Sequence, residues 1–131
     1  IAQTYLDNLW GLPLNLPAAG APLHHAWHLF IIKLLPGHDR QKFIDHMREL
    51  GIMVGVHYEP LHRSPYWRDK YDLDPRDFPG AEAVADRVVS LPIFPGMTEL
   101  QISRVIDAVQ SFFQTGKPRP AGDTSGTAPE E

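Results

Sequence analysis

Six consecutive residues, His57-Tyr58-Glu59-Pro60-Leu61-His62, place two imidazoles and a phenol where a β-branched run opens into a loop. Groups of these types donate hydrogen bonds to phosphates or sugar hydroxyls and move protons near neutral pH. Pro60 restricts the backbone of Glu59 between them. The same spacing equally suits a loop pinned by Tyr58 and His62. Arg63, Arg68 and Lys70 follow closely and bring positive charge, which fits an anionic ligand as well as a solvated helix face. The seven histidines raise the question of a metal. On a strand, His24 and His28 share a face with Cα atoms about 13 Å apart, too far to share one ion, and no Asp or Glu stands at a supporting spacing. Hydrogen-bonded or surface histidines are the better reading, and no metal site is expected. No glycine-rich elbow surrounds Ser90, no phosphate-binding glycine loop is present, and without cysteine there is no thiolate nucleophile. The chain carries no complete catalytic set.

Those residues need elements to hold them. Ile1, Tyr5 and Leu9 recur at helical spacing, so the first residue already lies inside a helix pattern. Gly11-Leu12-Pro13 and the Pro17 to Pro22 stretch predict an extended connector. His24–Leu35, dense in aromatic and branched residues on both parities, predicts a strand buried on both faces. Asp39–Leu50 reads as a helix, with Phe43, Ile44, Met47 and Leu50 at three- and four-residue steps, Asp39 as cap and Gly51 as a left-handed stop. Ile52–Tyr58 predicts a second strand, which delivers His57 and Tyr58 to the loop and completes a β-α-β unit. From Glu59 to Gly80 four prolines and four aromatics predict a long loop with one short helix around Pro65–Tyr71. Gly80–Val89 reads as a helix and Ser90–Phe94 as a short strand broken by Pro92. Thr98 and Gln101 form a capping box before Ile102, Val105, Ile106, Val109, Phe112 and Phe113, an apolar stripe facing a core. The expected fold class is α+β, a short sheet with helices on one face.

Composition limits the function classes. With 131 residues the chain holds one domain, large enough for a single core. Lys+Arg 12 against Asp+Glu 16, with the basic residues scattered, gives no footprint for nucleic acid or an anionic membrane. The longest apolar run, around Leu29–Leu35, is interrupted by Lys33 and falls short of the ~20 residues of a spanning helix. The absence of cysteine fits a reducing cytoplasm. Residues 116–131 have no large apolar side chain to bury and are expected to form a disordered tail. A chain that starts with Ile inside a helix pattern is expected to be cut from a longer one.

Four strings in order carry a resemblance: His-Leu-Phe-Ile-Ile-Lys-Leu at 28–34, Leu-Gly-Ile-Met-Val-Gly-Val-His-Tyr-Glu-Pro-Leu-His at 50–62, Phe-Pro-Gly-Ala-Glu at 78–82, and Val-Ser-Leu-Pro-Ile-Phe-Pro-Gly-Met-Thr at 89–98. They resemble the carboxy-terminal part of the DegT/DnrJ/StrS family, pyridoxal-phosphate-dependent sugar aminotransferases of fold type I. The likeness extends over roughly residues 1–113. It implies that residues 1–10 end an interdomain linker helix and that 11–115 form the small C-terminal α+β domain. It also implies a homodimeric enzyme that passes an amino group, usually from glutamate, through the cofactor to a keto group on a nucleotide-linked sugar.

By the same resemblance Tyr58 and His62 match a His-Tyr-x-Pro-x-His loop that faces the substrate cleft and contacts the sugar or its phosphates. His57, the first histidine of that string, orients or contacts, and His28 matches the histidine opening the first strand, where packing is an equal role. Arg63 stands where a neutral residue or lysine is common, and Trp27 replaces an expected tyrosine. The family's Schiff-base lysine lies upstream of everything that matches. Lys33, Lys42, Lys70 and Lys117 stand in a strand, two helical segments and the tail, so the resemblance implies no catalytic residue here and a piece inactive alone. Two alternatives stay open: a non-catalytic α+β binding module, and a sugar dehydratase that uses the same cofactor and fold.

Overall fold

The spacing of Tyr5 and Leu9 produces helix α1 (Ala2–Leu9), and both side chains are fully buried. The computed structural model describes residues 1–18 and 24–115. The expected tail over 116–131 and part of the Pro17–Pro22 connector lie outside the described residues. After α1 come β1 (Leu14–Asn15), β2 (Phe30–Leu34), α2 (Arg40–Glu49), α3 (Pro65–Tyr71), α4 (Pro79–Ala85), β3 (Val88–Leu91) and α5 (Glu99–Thr115). Short 3-10 turns at Leu61–Arg63 and Pro75–Asp77 flank α3.

The strands form one antiparallel sheet in the order β1-β2-β3, with Leu14 opposite Leu34, Phe30 opposite Leu91 and Ile31 opposite Ser90. Alternation along β2 turns Phe30, Ile32 and Leu34 into the core, where they meet Val89 and Leu91 of β3. Helices α1, α2 and α5 cover that face with Tyr5, Leu9, Phe43, Met47, Val105 and Val109. The α+β class with helices on one face of a short sheet is the observed architecture. Among the described residues no helix is long and apolar enough to cross a membrane.

Local signals account for the helix ends. The Asp39 side chain accepts from the Lys42 backbone N–H at 3.0 Å and starts α2. At its other end Gly51 N–H donates to Arg48 and Ile52 N–H to Met47, with Gly51 at φ +74°, the left-handed closure that glycine makes without steric cost. Thr98 and Gln101 exchange the two bonds of the capping box that opens α5.

Three element expectations are corrected. The first strand is Phe30–Leu34, not His24–Leu35, because Trp27 turns to φ +49° and its backbone N–H donates to Nδ1 of His25, which breaks the extended run. Its second face, with Ile31 and Lys33, is half-buried rather than enclosed. Ile52–Tyr58 is not a strand: Ile52 serves the cap of α2 and His57 turns back onto Ser90, which leaves Gly55 alone to pair, in an isolated antiparallel bridge with Ser90. Helix α4 ends at Ala85 and β3 begins at Val88, two residues before the expected Ser90, because Pro92 has no N–H to continue the ladder while Val88 and Val89 are β-branched.

Candidate functional site

The His57–His62 segment leaves the sheet at its β3 edge. Gly55 and Ser90 exchange backbone hydrogen bonds of 3.1 and 2.8 Å, and two residues later His57 Nδ1 shares a 2.9 Å hydrogen bond with Ser90 Oγ. Ser90 faces away from Val89 and Leu91, which point into the helices, so alternation along β3 puts this bond on the opposite side of the sheet. The His57–Tyr58 peptide is cis, and the two rings meet edge to face at 5.0 Å and 86°. Tyr58 is 76% exposed.

Past Pro60 the 3-10 turn swings His62 inward until it is 4% exposed. A carboxylate only accepts, so the 2.6 Å contact is a bond donated by His62 Nε2–H to Oε1 of Glu82. The Phe78 ring lies parallel to the imidazole, 4.5 Å away with 7° between planes. Arg63 completes the cluster: Nε donates to Glu82 Oε1 at 2.8 Å, one terminal nitrogen to Glu82 Oε2 at 2.7 Å, and the other to Asp86 Oδ1 at 2.7 Å. Glu82 and Asp86 are four residues apart on and just past α4, the separation that puts both carboxylates on one helix face for a single guanidinium to span. Arg40 donates to the Ala85 carbonyl and approaches Asp86 from the other side.

The charges follow from these contacts. The Arg63 guanidinium, then the His62 bond, hold the Glu82 carboxyl down at about 2, and Arg63 holds Asp86 below its ordinary value. Glu82 and Asp86 in turn raise Arg63 above the usual arginine range. Arg63, Glu82 and Asp86 are therefore charged together at neutral pH, a clasp tying the loop to α4 at one end while Ser90 ties it to β3 at the other.

The predicted site residues thus divide. His57, Tyr58, His62 and Arg63 are brought together on one loop, with His57, His62 and Arg63 each committed to a partner and Tyr58 presented outward. His28 stands apart, exposed in the bend before β2. Sequence reasoning gave no role to Glu82, Asp86, Phe78 or the Ser90 hydroxyl. A signal existed for the first two: carboxylates at positions four apart on a helical segment, with an arginine on a loop that must fold over it. Among the described residues no group of three or more His, Asp or Glu side chains is placed to hold a metal ion.

Among the described residues the lysines do not suit a carbonyl-bearing cofactor. A Schiff-base lysine needs a desolvated pocket. Lys42 is exposed on α2, Lys33 is half-buried on β2, and Lys70 is exposed on α3 with Nζ 3.1 Å from the Tyr66 hydroxyl and over the Tyr66 and Tyr71 rings.

A model of the DegT/DnrJ/EryC1/StrS aminotransferase family matches residues 1–110. DesV of S. venezuelae, solved in complex with a ketimine intermediate, is 35% identical and superposes with a TM-score of 0.77 over 86% of this chain and 30% of its own. A DegT DnrJ EryC1 StrS aminotransferase of Brucella abortus, 25% identical, gives a TM-score of 0.74 over 88% of this chain and 30% of its own. Spr1654 of Streptococcus pneumoniae, solved in PLP and PMP forms, shares the fold at 20% identity, with TM-scores of 0.78 and 0.79 over 86% of this chain and 29% of its own. The chain spans about 30% of the length of the proteins it matches.

Proposed function

Because the chain belongs to the DegT/DnrJ/EryC1/StrS aminotransferase family, we propose that it is the C-terminal, substrate-facing part of a pyridoxal-phosphate-dependent enzyme that moves an amino group, usually from glutamate, onto a keto group of a nucleotide-linked sugar. The observation that carries the reading is the exposed Tyr58 on a loop clasped at both ends, by His57 to Ser90 and by His62 and Arg63 to Glu82. A loop held this way keeps its phenol in place before substrate arrives, so little freedom is lost on binding. In this reading Tyr58 touches the sugar or its phosphates, His57 orients Tyr58, and His62 and Arg63 keep the turn in place. The cofactor supplies the electron sink. Its lysine belongs to the remainder of a cytoplasmic homodimeric enzyme, so residues 1–131 are inactive alone.

The test is transfer of isotope from ¹⁵N-glutamate to a set of keto nucleotide sugars by the complete holoenzyme, read by mass spectrometry. The expected result is a ¹⁵N-amino sugar with one equivalent of 2-oxoglutarate, and no borohydride-reducible cofactor adduct on residues 1–131. A dehydrated sugar without nitrogen would replace transamination with cofactor-dependent dehydration. A stoichiometric reducible adduct on the isolated chain would overturn the assignment of the lysine to another part of the enzyme.

A further inference from the structure

The segment Phe78–Glu82 lies outside the His57–His62 loop, yet both of its ends reach the same imidazole. Phe78 stacks on the His62 ring and Glu82 accepts from its Nε2. Glu82 is also the acceptor that Arg63 engages through two of its nitrogens, so two neighbouring loop residues converge on one carboxylate of α4. Their remaining anchors differ. Arg63 keeps Asp86 at 2.7 Å, but Asp86 is two-thirds exposed, and the contact of Arg63 with Glu59 is longer, at 3.6 Å. His62 is buried, and the one hydrogen bond its ring makes among the described residues is to Glu82. Asp86 can still hold the guanidinium when the Glu82 carboxylate is displaced, whereas the imidazole then has a buried donor without its acceptor, an arrangement that favours swinging out to solvent. Tyr58 is only four residues upstream of His62.

We propose that Glu82 is a positioning residue for the sugar substrate, acting through His62 and Arg63 to hold the Tyr58 loop at the cleft. The proposal rests on the functional reading above. Glu82 does not touch substrate; its carboxylate fixes where the 3-10 turn sits, and that sets where the phenol points. Because a displacement of about 1 Å at a positioned group is enough to cost a large factor in productive binding, a carboxylate on another element can govern substrate use. Gln at this position is isosteric but uncharged: its one oxygen can still take the two bonds that Glu82 Oε1 takes from His62 and Arg63 Nε, but an amide nitrogen replaces Oε2 and sets donor against donor at the Arg63 terminal nitrogen.

The complete holoenzyme separates this role from general packing, because the amino-donor half-reaction proceeds without sugar. Glu82→Gln, Tyr58→Ala and the double variant are compared, with rates expressed per site able to complete the donor half-reaction. The expected result for Glu82→Gln is a rise of about tenfold or more in KM for the nucleotide sugar, an unchanged donor half-reaction, and a double variant no worse than Tyr58→Ala alone. Glu82→Asp, which keeps the charge, recovers part of the loss and serves in its place should the amide variant fold poorly. A Glu82 variant with unaltered sugar KM beside a defective Tyr58→Ala would overturn the positioning role and leave the functional reading standing. Equal losses in both half-reactions would reduce Glu82 to a structural salt bridge. A sugar KM untouched by Tyr58→Ala as well would remove the underlying assignment of this loop to the substrate.

Discussion

The imidazole of His57 lies so close over Gly55 that a Cβ on that glycine would stand 2.5 Å from His57 Cε1. Nothing but hydrogen fits between them, and the ring is held there by the Ser90 hydroxyl while the Gly55 backbone pairs with the same serine. Gly55→Ala therefore forces either the ring off Ser90 or the bridge apart, an overpacking of the kind that costs about 1–3 kcal/mol. In a His57→Ala background the three atoms nearest the added methyl, all of the imidazole, are gone, so the second substitution should cost much less. Denaturant unfolding of the four proteins of the cycle measures the coupling. Additive effects would mean that the ring does not occupy this place in solution.

The helices and the core were legible because their signals are local. Asp39, Gly51, Thr98 and Gln101 act within one turn of the residues they cap, and the apolar steps of α2 and α5 name their own buried faces. The Ile52–Tyr58 run misled because β-branching reports a preference for extended backbone, not a partner strand. Only Gly55 finds one, once Ile52 is taken by the helix cap. Tyr58 and His62 stood out by type and spacing, but which would be buried was not decidable within the loop. That depends on Glu82, twenty residues further on and supplied by a helix whose orientation the loop sequence does not encode. Ser90 read as an ordinary strand residue for the same reason: its importance comes from the ring that folds back over it.

Acid should loosen the clasp before it unfolds the core. Glu82 titrates at about 2 in the folded protein, against about 4.3 for a free glutamate, and Asp86 is lowered in the same direction. A carboxyl depressed on folding stabilises fully above its unfolded value, and that contribution is lost as pH falls through the folded one. The gap in thermal midpoint between the parent and Glu82→Gln is therefore expected to be widest above roughly pH 5 and to close as pH drops toward about 2. Asp74, lowered by Arg76, is common to both proteins and cancels in the difference. A gap that stays constant across this range would show that Glu82 ionisation does not hold the loop.

At the alkaline end the relevant group is Tyr5. Its hydroxyl donates to the Pro92 carbonyl at 2.8 Å, its ring packs edge-on against Phe30 at 5.1 Å, and burial pushes its pKa up to about 12. A raised pKa gives stability that is intact below the unfolded value near 10 and disappears as pH rises through the folded one. Tyr5→Phe keeps the ring and removes the hydrogen bond, a loss of about 0.5–1.5 kcal/mol at neutral pH. Between roughly pH 10 and 12 the difference from the parent should shrink, because only the parent carries a phenol that ionises in the unfolded chain while burial keeps it neutral in the fold. Midpoints of guanidinium unfolding measured across that interval decide it; a difference that fails to shrink would place the hydroxyl in water.

Tyr58 allows the ring and the hydroxyl to be weighed separately. Its side chain is exposed and touches the fold through the edge of His57, so Tyr58→Phe should leave stability within about 0.5 kcal/mol of the parent. In the complete holoenzyme the same change should raise KM for the nucleotide sugar while the amino-donor half-reaction is untouched, and Tyr58→Ala should add whatever the ring contributes by stacking. The size of the first effect identifies what the hydroxyl meets. A hydrogen bond to a neutral sugar hydroxyl is worth about 0.5–1.5 kcal/mol, or roughly two- to twelvefold in affinity, whereas one to a charged phosphate is worth about 1.5–3 kcal/mol, or roughly 12- to 150-fold. Steady-state kinetics with the nucleotide sugar, followed by competition with the nucleoside diphosphate alone, distinguishes the two. A phosphate partner carries the Tyr58→Phe defect over to the diphosphate, and a sugar partner does not. Loss of stability with unchanged KM would return Tyr58 to holding the loop.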